Sequence, residues 1–330
     1  MHPFRTIVQP QKPAFRLNFR RPIVLMGSCF ASEIGQKLQN GKFEVLTNPF
    51  GTIFNPLVLS NLLQFSNEAD FSPFYIYNAS QGLWHNFMAH SSLSAHSQDA
   101  LASLLGNRLE TLQAALQQSS CVILTLGTAF VYKHLVLNTT IANCHREPAS
   151  VFEKKMLSVE EVKNSLAQVL NSSILKNKSI ILTVSPVRHI KDSLELNSVS
   201  KAVLRLAVHE LVQEHASAYY FPAFELLNDD LRDYRFYAED MLHPSKVATD
   251  YIFEKFSEIC LDEESQSFWR NCLKIQAMLA HKLQETKGQA AVKFLKKLLL
   301  DMEASYFEGR FQEEARAVRS QLHTIGGEAC

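Results

Sequence analysis

At 330 residues the chain is long enough for one large domain or two of unequal size, and 46% hydrophobic residues, among them 22 Phe, supply a sizeable core. Thirty-three Lys+Arg against 33 Asp+Glu give zero formal net charge, which excludes a basic nucleic-acid scaffold and a general attraction to anionic membranes. The six cysteines (29, 121, 144, 260, 272 and 330) form no C-x-x-C pair and read as reduced thiols of a cytoplasmic protein, while no apolar run has the length of a signal sequence core or a membrane span.

From Pro22 to about residue 250, short apolar runs alternate with longer helical stretches, the rhythm of strand–helix units around a parallel sheet. Ile23–Met26 is the first predicted strand, followed by a helix over Ala31–Gln39. Phe43–Leu46 is the second, with a helix over Pro56–Phe65. Residues 71–97 break the rhythm, and FYIYN, SQG and LWHNFMAH predict a hairpin inserted beside the sheet. A helix over Gln98–Gln118 leads into the third strand, Cys121–Leu126, and a short pair follows at Phe130–Lys133 and Val136–Asn138. The helix over Ser158–Asn171 opens on a capping box, Ser158 with Glu161. Ser179–Val184, a helix over Ser198–His215, and Ala218–Phe221 complete five strands.

From Asp262 to about His323 the pattern is wholly helical. Phe268, Cys272, Ile275, Leu279 and Leu283 form one apolar stripe; Phe294, Leu298, Met302 and Tyr306 form another. The reading is a three-layer α/β/α domain over residues 1–260, with a mostly parallel five-stranded sheet, and a helical extension over 261–330. Both stripes need burial, either against the sheet domain or against a second copy in a homodimer through these helices.

Two segments carry chemistry. Gly27-Ser28-Cys29-Phe30-Ala31 lies directly after the first strand and opens a helix, at the carboxyl end of the sheet where ligands of open α/β folds bind. The helix N-terminus offers free N–H groups and a positive dipole, which favour a thiolate and a developing oxyanion. Asp240-Met-Leu-His243-Pro244-Ser245 follows the last strand. A carboxylate three residues before a His can accept the imidazole Nδ1–H and leave Nε2 free to act as a base. His145, in Cys144-His145-Arg146, is a polar candidate after the second short strand pair, and Arg188 with His189 follows the fourth strand at the sheet end, where the two suit a carboxylate, phosphate or sugar hydroxyl. His85, His90 and His96 lack metal-ligand spacing and no phosphate-cradling glycine motif occurs, so neither a metal nor a cofactor is expected.

Gly27-Ser28-Cys29-Phe30-Ala31 spells the motif after which the GSCFA family is named, and the D-x-x-H segment resembles the last block of the SGNH (GDSL-type) hydrolase superfamily. The resemblance covers about residues 15–260. Asn48-Pro-Phe-Gly51-Thr-Ile-Phe-Asn55-Pro56 is similar to the block whose glycine supplies an oxyanion N–H, and Leu126-Gly127-Thr128-Ala129 sits where the superfamily has G-x-N. The alignment implies Cys29 as nucleophile, with Ser28 as second choice, His243 as base and then acid, and Asp240 as its orienting carboxylate. It implies oxyanion donors at the N–H groups of Cys29 and Gly51. Thr128, Asn48 or Asn55 would replace the side-chain donor lost at Ala129. The implied function is a hydrolase or acyltransferase acting on an ester or acyl group of a small molecule or carbohydrate. The alternative, favoured by Ala129 and by the absence of GDS, is a non-catalytic binding protein on the same scaffold.

Overall fold

The structure, a computed structural model, describes residues 5–65, 69–282 and 289–327. Its first strand, β1 (Ile23–Gly27), is buried along its whole length, as an apolar run at the centre of a parallel sheet must be. There follow α1 (Cys29–Asn40), β2 (Val45–Thr47), α2 (Pro56–Gln64), the hairpin β3 (Tyr75–Asn78) and β4 (Leu83–Asn86), α3 (Gln98–Gln118) and β5 (Cys121–Leu126). Next come β6 (Phe130–His134), β7 (Thr139–Ile141), β8 (Phe152–Met156), α4 (Val159–Leu170), β9 (Ser179–Val184), α5 (Leu194–Glu214), β10 (Ala218–Tyr220) and the single turn α6 (Ala223–Glu225). Four helices end the chain: α7 (Lys246–Cys260), α8 (Glu263–Lys282), α9 (Gln289–Glu303) and α10 (Gln312–Gly327).

Five strands form one all-parallel sheet in the order β2-β1-β5-β9-β10. From β1 the chain runs to β2 on one side and later returns to β5 on the other, so the carboxyl ends of β1 and β5 flank the point where the winding reverses. Alternation along β1 sorts the two faces. Val24 and Met26 join the core made with α2 to α5, whereas Ile23 and Leu25 join the core made with α1, α7 and the C-terminal helices. The result is a three-layer α/β/α fold. No helix of the described residues is long and apolar enough to cross a membrane.

The inserted hairpin forms as the sequence predicts, with Tyr75 opposite Asn86. The second insertion differs from its prediction. Val136–Asn138 is the turn, with Asn138 in the left-handed region at φ 51°, and the return strand begins only at Thr139. A third strand, β8, completes an antiparallel sheet in the order β7-β6-β8. Its FEKKM sequence leaves the central positions exposed, so no apolar alternation marks it. Helix α5 starts four residues before its predicted Ser198, because the Ser193 hydroxyl accepts the Leu196 N–H and caps the helix there.

The C-terminal helices bury most of both stripes within the chain, with Leu279 and Phe294 partly covered and Tyr306 exposed. Phe268, Cys272, Ile275, Leu298 and Met302 belong to the same core as β1 and α1, and Phe268 stacks on Phe19 with ring centroids 3.9 Å apart. These side chains pack in the chain's own core, the first of the two ways of burying them that the sequence leaves open; Leu283 lies outside the described residues. The boundary at residue 260 is a boundary between helices, not between cores. Phe268→Ala is expected to lower unfolding free energy by about 3–5 kcal/mol, the usual cost of emptying a buried Phe site. Denaturant titration checks this, and a loss below about 1 kcal/mol would mean the helices are only loosely appended.

Candidate active site

Gly27 ends β1 at φ 142°, and a Cβ there would lie 2.1 Å from the Thr125 carbonyl oxygen of the neighbouring strand. Only glycine allows the chain to turn this close to β5. Ser28 donates its N–H to that same Thr125 oxygen at 3.0 Å, and its hydroxyl accepts from Phe30 N–H at 3.3 Å as the N-cap of α1. Cys29 is thus the first residue of the helix, half-buried and facing a cavity. Asn48, itself left-handed at φ 45°, clamps the turn from β2: Oδ1 accepts the Gly27 N–H at 2.8 Å and Nδ2 donates to Ser32 Oγ at 2.9 Å.

The Asp240–His243 loop is built by backbone bonds. Ala238 N–H donates to the His243 carbonyl, and Ser245 N–H to Phe236, while Met241 takes a left-handed φ of 59°. Asp240 Oδ1 accepts the N–H groups of Leu242 and His243 at 2.9 and 3.0 Å, and Oδ2 accepts His243 Nδ1–H at 2.6 Å. Those backbone donors, with the imidazole, hold the Asp240 carboxyl down to about 2. With Nδ1 committed to the carboxylate, His243 presents Nε2 as its free ring nitrogen.

Cys29 and His243 line one cavity of about 410 Å³. Its wall is one face of α1, carrying Phe30, Glu33, Gln36, Lys37 and Asn40 at helical spacing, closed by Val187, Pro244, Lys246 and Thr249. Burial pushes the Cys29 thiol up, against the pull of the N–H groups of Phe30 and Cys29 and of the Lys201 ammonium. The helix terminus acts in the direction the sequence suggests, but desolvation outweighs it.

Several sequence-predicted residues lie elsewhere or are already occupied. Ser28 is buried and its hydroxyl is the helix cap. The Gly51 N–H closes the Asn48–Gly51 turn at 2.8 Å, so the expected oxyanion donor is engaged; its glycine is required by φ 75° and by His90 Cβ, 2.3 Å from where a Cβ would stand. Thr128 is buried, with its hydroxyl 3.0 Å from Ser200 Oγ and accepting from Phe130 N–H. Ser200 also accepts the Ala129 N–H at 2.7 Å, so a hydroxyl from α5 tends the position where the superfamily block has its Asn. Asn55 caps α2 through Val58 N–H. Asn48 holds the turn and does not line the cavity.

Arg188 buttresses the Asp240–His243 loop, its backbone N–H on the Leu242 carbonyl and its guanidinium reaching the Met241 carbonyl and lying 4.0 Å over the Tyr237 ring. His189 packs on Phe54 and donates its backbone N–H to Asn197. His145 is buried beside the inserted hairpin, stacked on His85 and bonded to the Asn86 carbonyl, in a separate cavity, and burial draws its imidazole down to about 4. The residue that sequence reading missed is Lys201. Its signal was a lysine in line with Leu204, Val208 and Leu211 on the apolar stripe of α5, all three of them buried.

A doubly wound parallel sheet with a thiol at its first strand-to-helix turn and, lining the same cavity, His243 of an Asp–His pair on the loop before α7 is the architecture of α/β proteins with a crevice at the carboxyl ends of their strands. The chain belongs to the GSCFA family, whose family model matches residues 22–256. That span contains both Cys29 and His243 and leaves α8 to α10 outside it. No curated protein matches the chain.

Proposed function

We propose that the protein is a cytoplasmic, SGNH-like acyl-group enzyme, a hydrolase or acyltransferase that acts on an ester or acyl group of a small molecule or carbohydrate through Cys29, His243 and Asp240. The observation that carries this reading is the common cavity of Cys29 and His243, with Asp240 bonded behind the imidazole. In the first half-reaction the Cys29 sulfur bonds to the acyl carbon, its proton passes to His243 Nε2, and the carbonyl π pair moves onto oxygen. Collapse breaks the bond to the leaving oxygen, which takes the proton from Nε2 and departs as the alcohol. The thioester left on Cys29 is then attacked by water or by a second alcohol, whose proton goes to His243 and then to the departing sulfur. The Cys29 N–H, in the first turn of α1, supplies a donor and a dipole for the oxyanion. Gln36, Asn40 and Glu33 give the cavity wall donors and acceptors suited to a hydroxyl-bearing substrate. The five cysteines among the described residues are all free thiols, in keeping with a reducing compartment.

A specific observation favours a second reading, a binding protein on this scaffold: the Gly51 N–H and the Thr128 hydroxyl, the expected oxyanion donors, are engaged within the protein. A panel of short acyl esters and acetylated sugars, assayed with wild type and His243→Ala, separates the two. Turnover in the wild type that falls by at least ~10²-fold in His243→Ala is the expected result. A ligand that raises the melting temperature of both proteins and is turned over by neither would establish the binding reading instead.

A further inference from the structure

Lys201 is 2% exposed, on the inner face of α5. Its Nζ donates to the carbonyl oxygens of Gly127 and Ser185, each at 2.7 Å, which extend from the carboxyl ends of β5 and β9. Among the described residues no carboxylate pairs with it. A lysine buried against two neutral carbonyls is expensive to keep charged, and one with no anionic partner invites the question of which charge it serves.

The topology answers. Gly127 lies two residues beyond Thr125, whose carbonyl oxygen accepts the Ser28 N–H, so the Lys201 ammonium sits at the sheet end beside the β1 turn that carries Cys29. We propose that Lys201 is a positioning residue acting through Cys29, the buried amine whose charged form supports the thiolate that forms when His243 removes its proton. The inference rests on Cys29 being the nucleophile. The ionisable groups that bear on this pair are Glu33 on α1, which opposes the thiolate, His243, Lys37 and Lys246 around the Cys29 cavity, and His189 before α5, whose imidazole is pushed down by burial first and then by Lys201, Lys154 and Lys191. Burial draws Lys201 down to about 7, and Cys29 pulls it back up, so thiol and amine support each other's charged forms.

The test is the pH dependence of iodoacetamide alkylation at Cys29, followed by peptide mapping on the full chain. Lys201→Gln keeps hydrogen-bond donors for the carbonyls and removes the charge. Its expected effect is an upward shift of the Cys29 labelling profile, read as about fivefold slower labelling near pH 7, where Lys201 still carries charge, with the other cysteines unchanged. A folded Lys201→Gln with an unmoved midpoint, whatever its melting temperature, would overturn the proposal and leave Lys201 as a structural strut. Should that variant not fold, NMR titration of ε-labelled lysine in Cys29→Ala decides. Lys201 titrating lower than in wild type supports the coupling, and no change refutes it. Labelling needs no substrate, so a shift without ester turnover would leave this coupling standing while removing the acyl-transfer reading; turnover without a shift would do the reverse.

Discussion

Cys29→Ala is expected to lower acyl turnover by at least ~10³-fold while leaving the protein folded, because removing a nucleophile eliminates the covalent half-reaction and leaves only binding and oxyanion stabilisation. Ser28→Ala is the informative contrast. Its hydroxyl is buried and caps α1 through Phe30 N–H, so its loss is expected to cost about 1 kcal/mol of stability and little of kcat. Mass spectrometry of the wild type quenched during turnover should find an acyl adduct on the peptide that contains Cys29. The opposite ranking, with Cys29→Ala active and Ser28→Ala inert, would transfer the nucleophile to the neighbouring serine and require α1 to open at its N-terminus.

What was legible in the chain divides along physical lines. Ile23–Met26, Cys121–Leu126 and Ser179–Val184 are readable as strands because both faces of a central parallel strand are buried, which leaves an uninterrupted apolar run. FEKKM in β8 is paired on one side only and mostly exposed, so its strand character lives in tertiary pairing with β6. The ends of the candidate site were equally readable. The D-x-x-H loop is built by its own backbone bonds, a local consequence of sequence, and Gly27 announces its strand-to-helix turn by residue type even though the Thr125 carbonyl that forces it comes from a distant strand. The middle was not. Whether the Gly51 N–H or the Thr128 hydroxyl is free to serve an oxyanion depends on the Asn48 carbonyl in one case and on Ser200, seventy-two residues away, in the other. Motif matching gives the slot and is blind to a hydrogen bond already made there. Lys201 was hidden for the opposite reason, since a lysine on an apolar stripe reads as a long side chain snorkelling to solvent until two strand-end carbonyls are found waiting for it.

Asp240→Asn is expected to reduce kcat by ~10³- to 10⁴-fold in a stably folded protein, and the geometry says why an isosteric change should be so costly. Oδ1 already accepts two backbone N–H groups, from Leu242 and His243, so an asparagine must keep its carbonyl oxygen on that side. Its NH₂ group then replaces Oδ2 at 2.6 Å from His243 Nδ1, donor facing donor. The imidazole escapes by carrying its proton on Nε2, the wrong tautomer for the base role proposed for it, and the charge that would stabilise the imidazolium is gone. The loop itself keeps its two backbone bonds, which is why folding should survive. Acid titration supplies an independent check. The folded Asp240 carboxyl titrates near 2, below its ordinary 3.8, so its contribution to stability is fully present above pH 4 and disappears as the pH falls toward 2. Asp240→Asn should lack that contribution at every pH above about 4 and converge on the wild type as the pH falls toward 2, so that its stability profile is flatter across the acid window, while the larger loss near neutrality is of turnover. An Asp240→Asn protein that turns over acyl substrate at the wild-type rate would reduce Asp240 to a loop residue and remove the triad.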